Sequence, residues 1–218
     1  MHKPSDLADL DRLRADLAGD VDTFNVAGES VVMSIRQANN YHTEHNIRAI
    51  LFDLGDTLMW EVTEEKDATD VTLRADLLPG AADLIRRLRE DGFYIGLVAD
   101  SRPKSPINVL EQHELLHLFD TASISEIVGV SKPDRRMFLT ALTALDVDPA
   151  DYARVVMVGN NLERDIVGAN ALGLMTILIH PNDRRTAKPS GPDDTPDHTV
   201  ETIAKLSDLI YSLDSKTS

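Results

Sequence analysis

Short apolar runs and amphipathic stretches alternate along the chain from residue 47 onward. Runs at 47–52, 94–98, 121–124, 155–158 and 176–179 are apolar nearly throughout. That is the pattern of strands covered on both faces of a parallel sheet. Apolar residues recur at helical spacing over 80–90, 106–113, 133–145, 164–172 and 202–213. Strand–helix alternation with short links predicts an α/β fold. The expected architecture is a Rossmann-like three-layer sandwich around a mostly parallel five-stranded sheet. Residues 181–196 hold four prolines among Asp, Arg and Thr and read as a surface loop.

The first 46 residues follow a different pattern. Leu7, Leu10, Leu13 and Leu17 repeat at helical spacing, with Ser5 as N-cap and Gly19 as stop. A second helix is expected within 29–39, carrying Val31, Val32 and Ile35, and the polar run 39–46 reads as a connector. The expected organisation is a helical N-terminal extension, residues 1–46, and a catalytic-type domain, residues 47–218. The leucine stripe has to bury somewhere, on its own domain by default or in a homodimer contact as the alternative.

Charge changes this picture by exclusion. Thirty-seven Asp and Glu stand against 22 Lys and Arg, a formal net charge of −15. A nucleic-acid partner or an anionic membrane surface needs a basic face, so neither is expected. There is no cysteine, which excludes disulfides, thiolate metal sites and cysteine nucleophiles. No basic start leads into an apolar run and no 18-residue apolar segment exists, so a cytoplasmic location is expected. Of the acids, 26 are Asp and 11 are Glu. Asp is a poor helix former but a good turn and ligand residue, so where each one falls decides its meaning.

In an open parallel sheet the ligand site lies beyond the C-terminal strand ends. The residues there are polar: Asp53 and Asp56, Asp100 and Ser101, Ser131 and Lys132, Asn160 and Asn161. The first strand runs into Asp53-Leu54-Gly55-Asp56-Thr57-Leu58, and the fourth into Gly159-Asn160-Asn161-Leu162-Glu163-Arg164-Asp165, with Ser131-Lys132-Pro133 between them. In this order the motifs resemble the haloacid dehalogenase superfamily of aspartate-nucleophile hydrolases, over residues 47–213.

The resemblance implies hydrolysis of a phosphate monoester. Asp53 would be the nucleophile that forms an aspartyl-phosphate, and Lys132 would balance charge. Mg²⁺ would be held by Asp53, Asp165, Asn160 and the carbonyl of Gly55. Asp100 and Ser101 would lie at the substrate phosphate, with backbone amides nearby. The chemistry is coherent by itself. A carboxylate splits one hard displacement into two. Because carboxylate and phosphate repel, a hard cation and a fixed ammonium are needed to bring them together.

Three positions depart from the family pattern. Its phosphatases carry a second Asp, as acid and base, where this chain has Gly55. Asp56 is one residue further on, and either takes the acid role or hydrogen-bonds its own loop. Ala99 stands where the phosphate-binding Ser or Thr would be, with Ser101 as the substitute. Asn160 replaces a metal-binding Asp and removes one negative charge. These departures keep two alternatives open: a weak or inactive domain serving as an interaction or regulatory module, and a carbon–halogen hydrolase. His113 and His117 are spaced for a helical metal pair, but the leucines around them favour ordinary partly buried histidines. Residues 59–78 are too few for a folded cap domain and enough for a flap. An open site admits a phosphorylated small molecule or a phosphorylated macromolecule.

Overall fold

The computed structural model describes residues 24–26, 29–31 and 45–215. The chain divides into two compact units, residues 1–35 and 36–218. In the first, β1 (Phe24–Val26) pairs antiparallel with β2 (Glu29–Val31). Residues 29–31 are therefore strand where the apolar spacing suggested helix. Phe and Val favour the extended state, and Gly28 lies between the paired segments, so a two-residue hairpin reads equally well. The leucine stripe and residues 32–44 of the expected extension lie outside the described residues.

The second unit is built on six parallel strands in the order β10-β9-β8-β3-β6-β7. They are β3 (Ala49–Phe52), β6 (Ile95–Ala99), β7 (Thr121–Ile124), β8 (Val155–Gly159), β9 (Met175–Ile179) and β10 (His198–Val200). Every residue of β3, β6 and β8 is buried, which is why each reads as an unbroken apolar run. The sixth strand, β10, is short and half polar at the sheet edge, so alternation did not reveal it.

Helices flank this sheet. In α1 (Ala81–Glu90), residues Ala81, Leu84, Ile85 and Leu88 form the buried stripe. α2 (Lys104–Gln112) follows β6, and the four-residue α3 (Ser125–Val128) follows β7. α4 (Arg135–Ala144) packs on β6 and β7, and its Met137, Phe138, Leu139, Ala141 and Leu142 are buried. It starts at Arg135 because the Asp134 carboxylate caps it, accepting the Arg136 N–H at 2.9 Å. The expected helix over 164–172 is instead a π turn, Leu162–Ile166, leading into the short α5 (Val167–Asn170). α6 (Ile203–Asp214) closes the chain, capped by Thr202.

Gly168 is where α5 meets α4. A Cβ there would lie 2.3 Å from Phe138 Cε2 and 3.0 Å from the Pro133 carbonyl. Phe138 is fully buried and has no room to retreat. Gly168→Ala is therefore expected to lower stability, because overpacking of about 1–3 kcal/mol exceeds the helix-propensity gain of about 1 kcal/mol. A urea midpoint at or above that of the parent protein would contradict this packing.

Two excursions complete the unit. Between β3 and α1, β4 (Glu65–Lys66) and β5 (Thr72–Arg74) form a small antiparallel flap. It is docked on α2: the Thr72 N–H donates to Ser105 Oγ at 3.0 Å, and Asn108 Nδ2 donates to the Thr72 carbonyl at 2.9 Å. After β9, the proline-rich loop makes contacts of its own. Asp194 accepts the N–H groups of Ser190 and Gly191, and Ala187 packs on Leu162, Ile166 and Leu178.

Candidate active site

The chain crosses from β3 to β6 and β7 on one side, then returns to β8, β9 and β10 on the other. The C-terminal ends of β3, β6 and β8 therefore meet at a switch point of the sheet. Phe52 pairs in register with Leu97 and with Val158, so the residues that follow each strand converge. They open on a cavity of about 290 Å³ lined by Asp53, Asp100, Ser101, Lys132, Asn160 and Asp165, among others.

Lys132 is at its centre. Its side chain is 2% exposed, and Nζ lies 2.7 Å from Asp53 Oδ1 and 2.7 Å from Asp165 Oδ1. Nζ also donates to the Val98 carbonyl at 2.8 Å. Burial disfavours the ammonium, but the charges of Asp165 and Asp53 outweigh it and hold Lys132 above its ordinary value. Burial pushes the Asp165 carboxyl up to about 6, against the pull of Lys132 and with the charge of Asp53 adding to it.

Asp53 follows directly on β3, its N–H donating to the Val158 carbonyl at 2.9 Å. Thr57 Oγ1 donates to its second oxygen at 3.2 Å. One carboxylate oxygen is thus turned to Lys132 and the other to Thr57. Asp165 reaches the same point through the π turn. Asn161 Oδ1 caps that turn by accepting the N–H groups of Glu163 and Arg164, and the Asn161 N–H donates to Asp165 Oδ2 at 3.0 Å. π turns are rare and recur at functional sites, and this one aims a buried acid into the cleft. Gly159 makes room for it, since a Cβ there would lie 2.4 Å from Asp165 Cγ.

Asp165 Oδ1 meets Lys132 Nζ at 2.7 Å, and that ammonium is the contact that holds it among the described residues. A buried carboxylate oxygen with coordinating capacity left, beside Asp53 and the buried Asn160, is an all-oxygen donor set suited to a hard cation. No group of three His, Cys, Asp or Glu side chains fit to hold a metal by themselves occurs among the described residues. A metal held here would have to draw on amide and carbonyl oxygens beside the two carboxylates.

Gly55 lines the cleft. Asp56 is buried and in the left-handed region at φ 48°. It does not line the cleft. Its carboxylate accepts the Glu61 N–H at 3.0 Å and pairs with Arg184 at 2.7 Å. Asp100 accepts the Lys132 N–H at 2.9 Å and faces Arg164 at 3.4 Å, so it anchors the Lys132 segment. Ser101 Oγ is buried with no hydrogen-bond partner among the described residues and lines the cleft.

Glu61, Arg184 and Arg185 were not singled out from the sequence. Glu61 lies six residues past Gly55 in chain order, and the arginines sit in the proline-rich loop. The loop after Asp53 doubles back, with Leu58 N–H bonded to the Leu54 carbonyl and Asp56 N–H to the Met59 carbonyl. This return brings Glu61 over Gly55. Two adjacent arginines in a loop of an acidic chain were the available signal.

No helix among the described residues is long and apolar enough to cross a membrane. A family model described as haloacid dehalogenase-like hydrolase matches residues 34–173. A glyceraldehyde 3-phosphate phosphatase of Methanopyrus kandleri is 32% identical over 135 residues, 62% of this chain and 57% of that protein. A ribulose-1,5-bisphosphate 5-phosphatase of Halopiger xanaduensis is 33% identical over 138 residues, 62% of this chain and 56% of that protein. The chain thus spans a little over half the length of these curated relatives. Among solved structures, a HAD phosphatase from Thermococcus onnurineus superposes with a TM-score of 0.60 at 19% identity, covering 75% of this chain and 98% of that one. An uncharacterized protein from Listeria monocytogenes reaches a TM-score of 0.64 at 22% identity, covering 78% of this chain and 100% of that one. The fold, the order of the strand-end motifs and the family match agree: the chain belongs to the haloacid dehalogenase-like hydrolases.

Proposed function

We propose that the protein hydrolyses small phosphate monoesters through an aspartyl-phosphate on Asp53. The observation that carries this reading is the convergence of Asp53 and Asp165 on the buried ammonium of Lys132 at the sheet switch point. Lys132 holds the Asp53 carboxylate in place and offsets the charge of an arriving phosphate. Ser101 contributes a free hydroxyl to a phosphate oxygen, which Ala99 lacks the chemistry to do. Asp100 positions the Lys132 backbone, and Asp56 orders the loop that follows the nucleophile.

Asp53, Asp165, Asn160 and the Gly55 carbonyl would hold Mg²⁺. When bound, the ion neutralises charge as phosphate meets carboxylate. The flap and the cavity of about 290 Å³ favour a metabolite over a phosphorylated macromolecule. The names of the relatives, phosphatases of a triose phosphate and of a sugar bisphosphate, point to the same class.

The test is turnover of p-nitrophenyl phosphate and of a panel of sugar and triose phosphates, with Mg²⁺ or with chelator. Release of phosphate is expected with Mg²⁺ and to fall to background on chelation. Equal rates in both conditions would remove the metal from this reading. No turnover of any phosphate, with Mg²⁺ bound or not, would favour an interaction module.

A further inference from the structure

Hydrolysis through Asp53 needs a group that gives a proton to the leaving alcohol and takes one from water. Position 55, two residues beyond the nucleophile, carries no side chain to do this. The space above Gly55 is nevertheless filled. A Cβ at that position would lie 2.5 Å from Glu61 Oε1, 2.8 Å from its Cγ and 3.1 Å from its Cδ. Glu61 also lines the cleft beside Asp53. We infer that Glu61 is the general acid and base of this active site, its carboxylate delivered from the returning loop into the space above Gly55.

The other carboxylates of the cleft are committed or remote. Asp53 is the nucleophile, and Asp165 is buried against Lys132. Asp100 is bound by the Lys132 N–H and Arg164. Glu64 accepts the Thr72 hydroxyl at 2.7 Å, and Asp70 is 77% exposed on the flap. Glu61 is instead held by cations that orient it. Arg184 bridges Asp56 Oδ2 at 2.7 Å and Glu61 Oε2 at 3.2 Å, and Arg185 reaches Glu61 Oε1 at 3.3 Å. The Glu61 N–H is fixed by Asp56 Oδ1 at 3.0 Å. The arginines are fixed in turn, because His180 Nε2 bonds the Arg185 carbonyl at 2.9 Å and Ala187 packs into the core. Arg184, Arg185 and Asp56 are thus positioning residues for Glu61. The arginine contacts to Glu61, at 3.2 and 3.3 Å, are longer than the 2.7 Å pair at Asp56.

The proton balance closes over one cycle. In the first step an Asp53 oxygen forms a bond to phosphorus and the ester P–O bond breaks. The leaving alkoxide takes the proton of Glu61 and departs as alcohol. In the second step water attacks phosphorus, its proton passes to the Glu61 carboxylate, and the Asp53–phosphorus bond breaks. Phosphate leaves, Asp53 is again a carboxylate, and Glu61 is protonated for the next ester.

This inference rests on the nucleophile reading of Asp53, so both residues are tested together. Parent protein, Glu61→Gln and Asp53→Asn are assayed with p-nitrophenyl phosphate, a good leaving group, and with glycerol 2-phosphate, a poor one. Glu61→Gln is expected to lower kcat for glycerol 2-phosphate by about 10²–10⁴-fold. With p-nitrophenyl phosphate it is expected to release one equivalent of nitrophenol in a burst and then stall, because water lacks its base. A residue with only a structural role would give no burst. A Glu61→Gln kcat within about threefold of the parent, with Asp53→Asn inactive, would overturn the role of Glu61 and leave Asp53 standing. An active Asp53→Asn would overturn the nucleophile itself. Should Glu61→Gln fail to fold, Glu61→Ala alone and with Gly55→Asp decides. Gly55 has no positive φ, and truncating Glu61 vacates the space, so an Asp is accommodated there. Recovery of at least about tenfold by the double variant is expected, and no recovery would overturn the inference.

Discussion

Asp53→Asn is expected to lower kcat for phosphate monoesters by about 10⁴-fold or more, with the fold intact. The amide keeps the size of the carboxylate, and its oxygen still meets Lys132 or Thr57. It is no longer a nucleophile, and it removes one negative charge from the pair that Lys132 neutralises. Because Asp53 and Asp165 now repel across that ammonium, the substitution relieves part of the strain on Asp165. The variant is therefore expected to match or exceed the parent in thermal stability while losing turnover. A variant that unfolds early would mean that Asp53 serves chiefly to hold the loop.

Lys132→Met is expected to have the largest structural effect. The ammonium is buried between two carboxylates and satisfies the Val98 carbonyl as well. Removing one partner of a buried charge cluster costs about 3–5 kcal/mol, because the remaining charges are left without compensation. The sign of the pH dependence follows from Asp165. Burial raises its carboxyl already, and Lys132 is the main influence lowering it, so the variant raises it further. A carboxyl raised on folding takes up protons as the protein folds, and its folded state gains stability as pH falls. Unfolding by urea without Mg²⁺ is therefore expected to show a smaller deficit at about pH 5 than at about pH 8. A deficit independent of pH would place the damage in packing and not in the acids.

The strand ends were readable because the strands are buried on both faces and end in polar residues. β3, β6 and β8 each break from apolar to Asp, Asp or Asn within one residue, and those breaks mark the cleft. Asp53, Lys132 and Asp165 converge in the structure because parallel strands in register bring their ends together. What escaped the sequence depends on contacts without a period. Glu61 meets Gly55 only because the loop doubles back through Asp56 in a left-handed conformation. Arg184 meets Asp56 across 128 residues, a pairing no local pattern encodes. The π turn that carries Asp165 has helical composition and reads as ordinary helix. β10 is too short and too polar to stand out from the loop before it.

The most direct measurement is to find the phosphoryl group on the protein. Glu61→Gln, mixed with p-nitrophenyl phosphate and Mg²⁺, is quenched in acid, reduced with borohydride to mark any acyl phosphate, and digested for mass spectrometry. The label is expected on the peptide that carries Asp53, in amount equal to the nitrophenol burst. Turnover by the parent protein together with a label on another residue, or with none in the quenched variant despite a full burst, would contradict a covalent mechanism through Asp53.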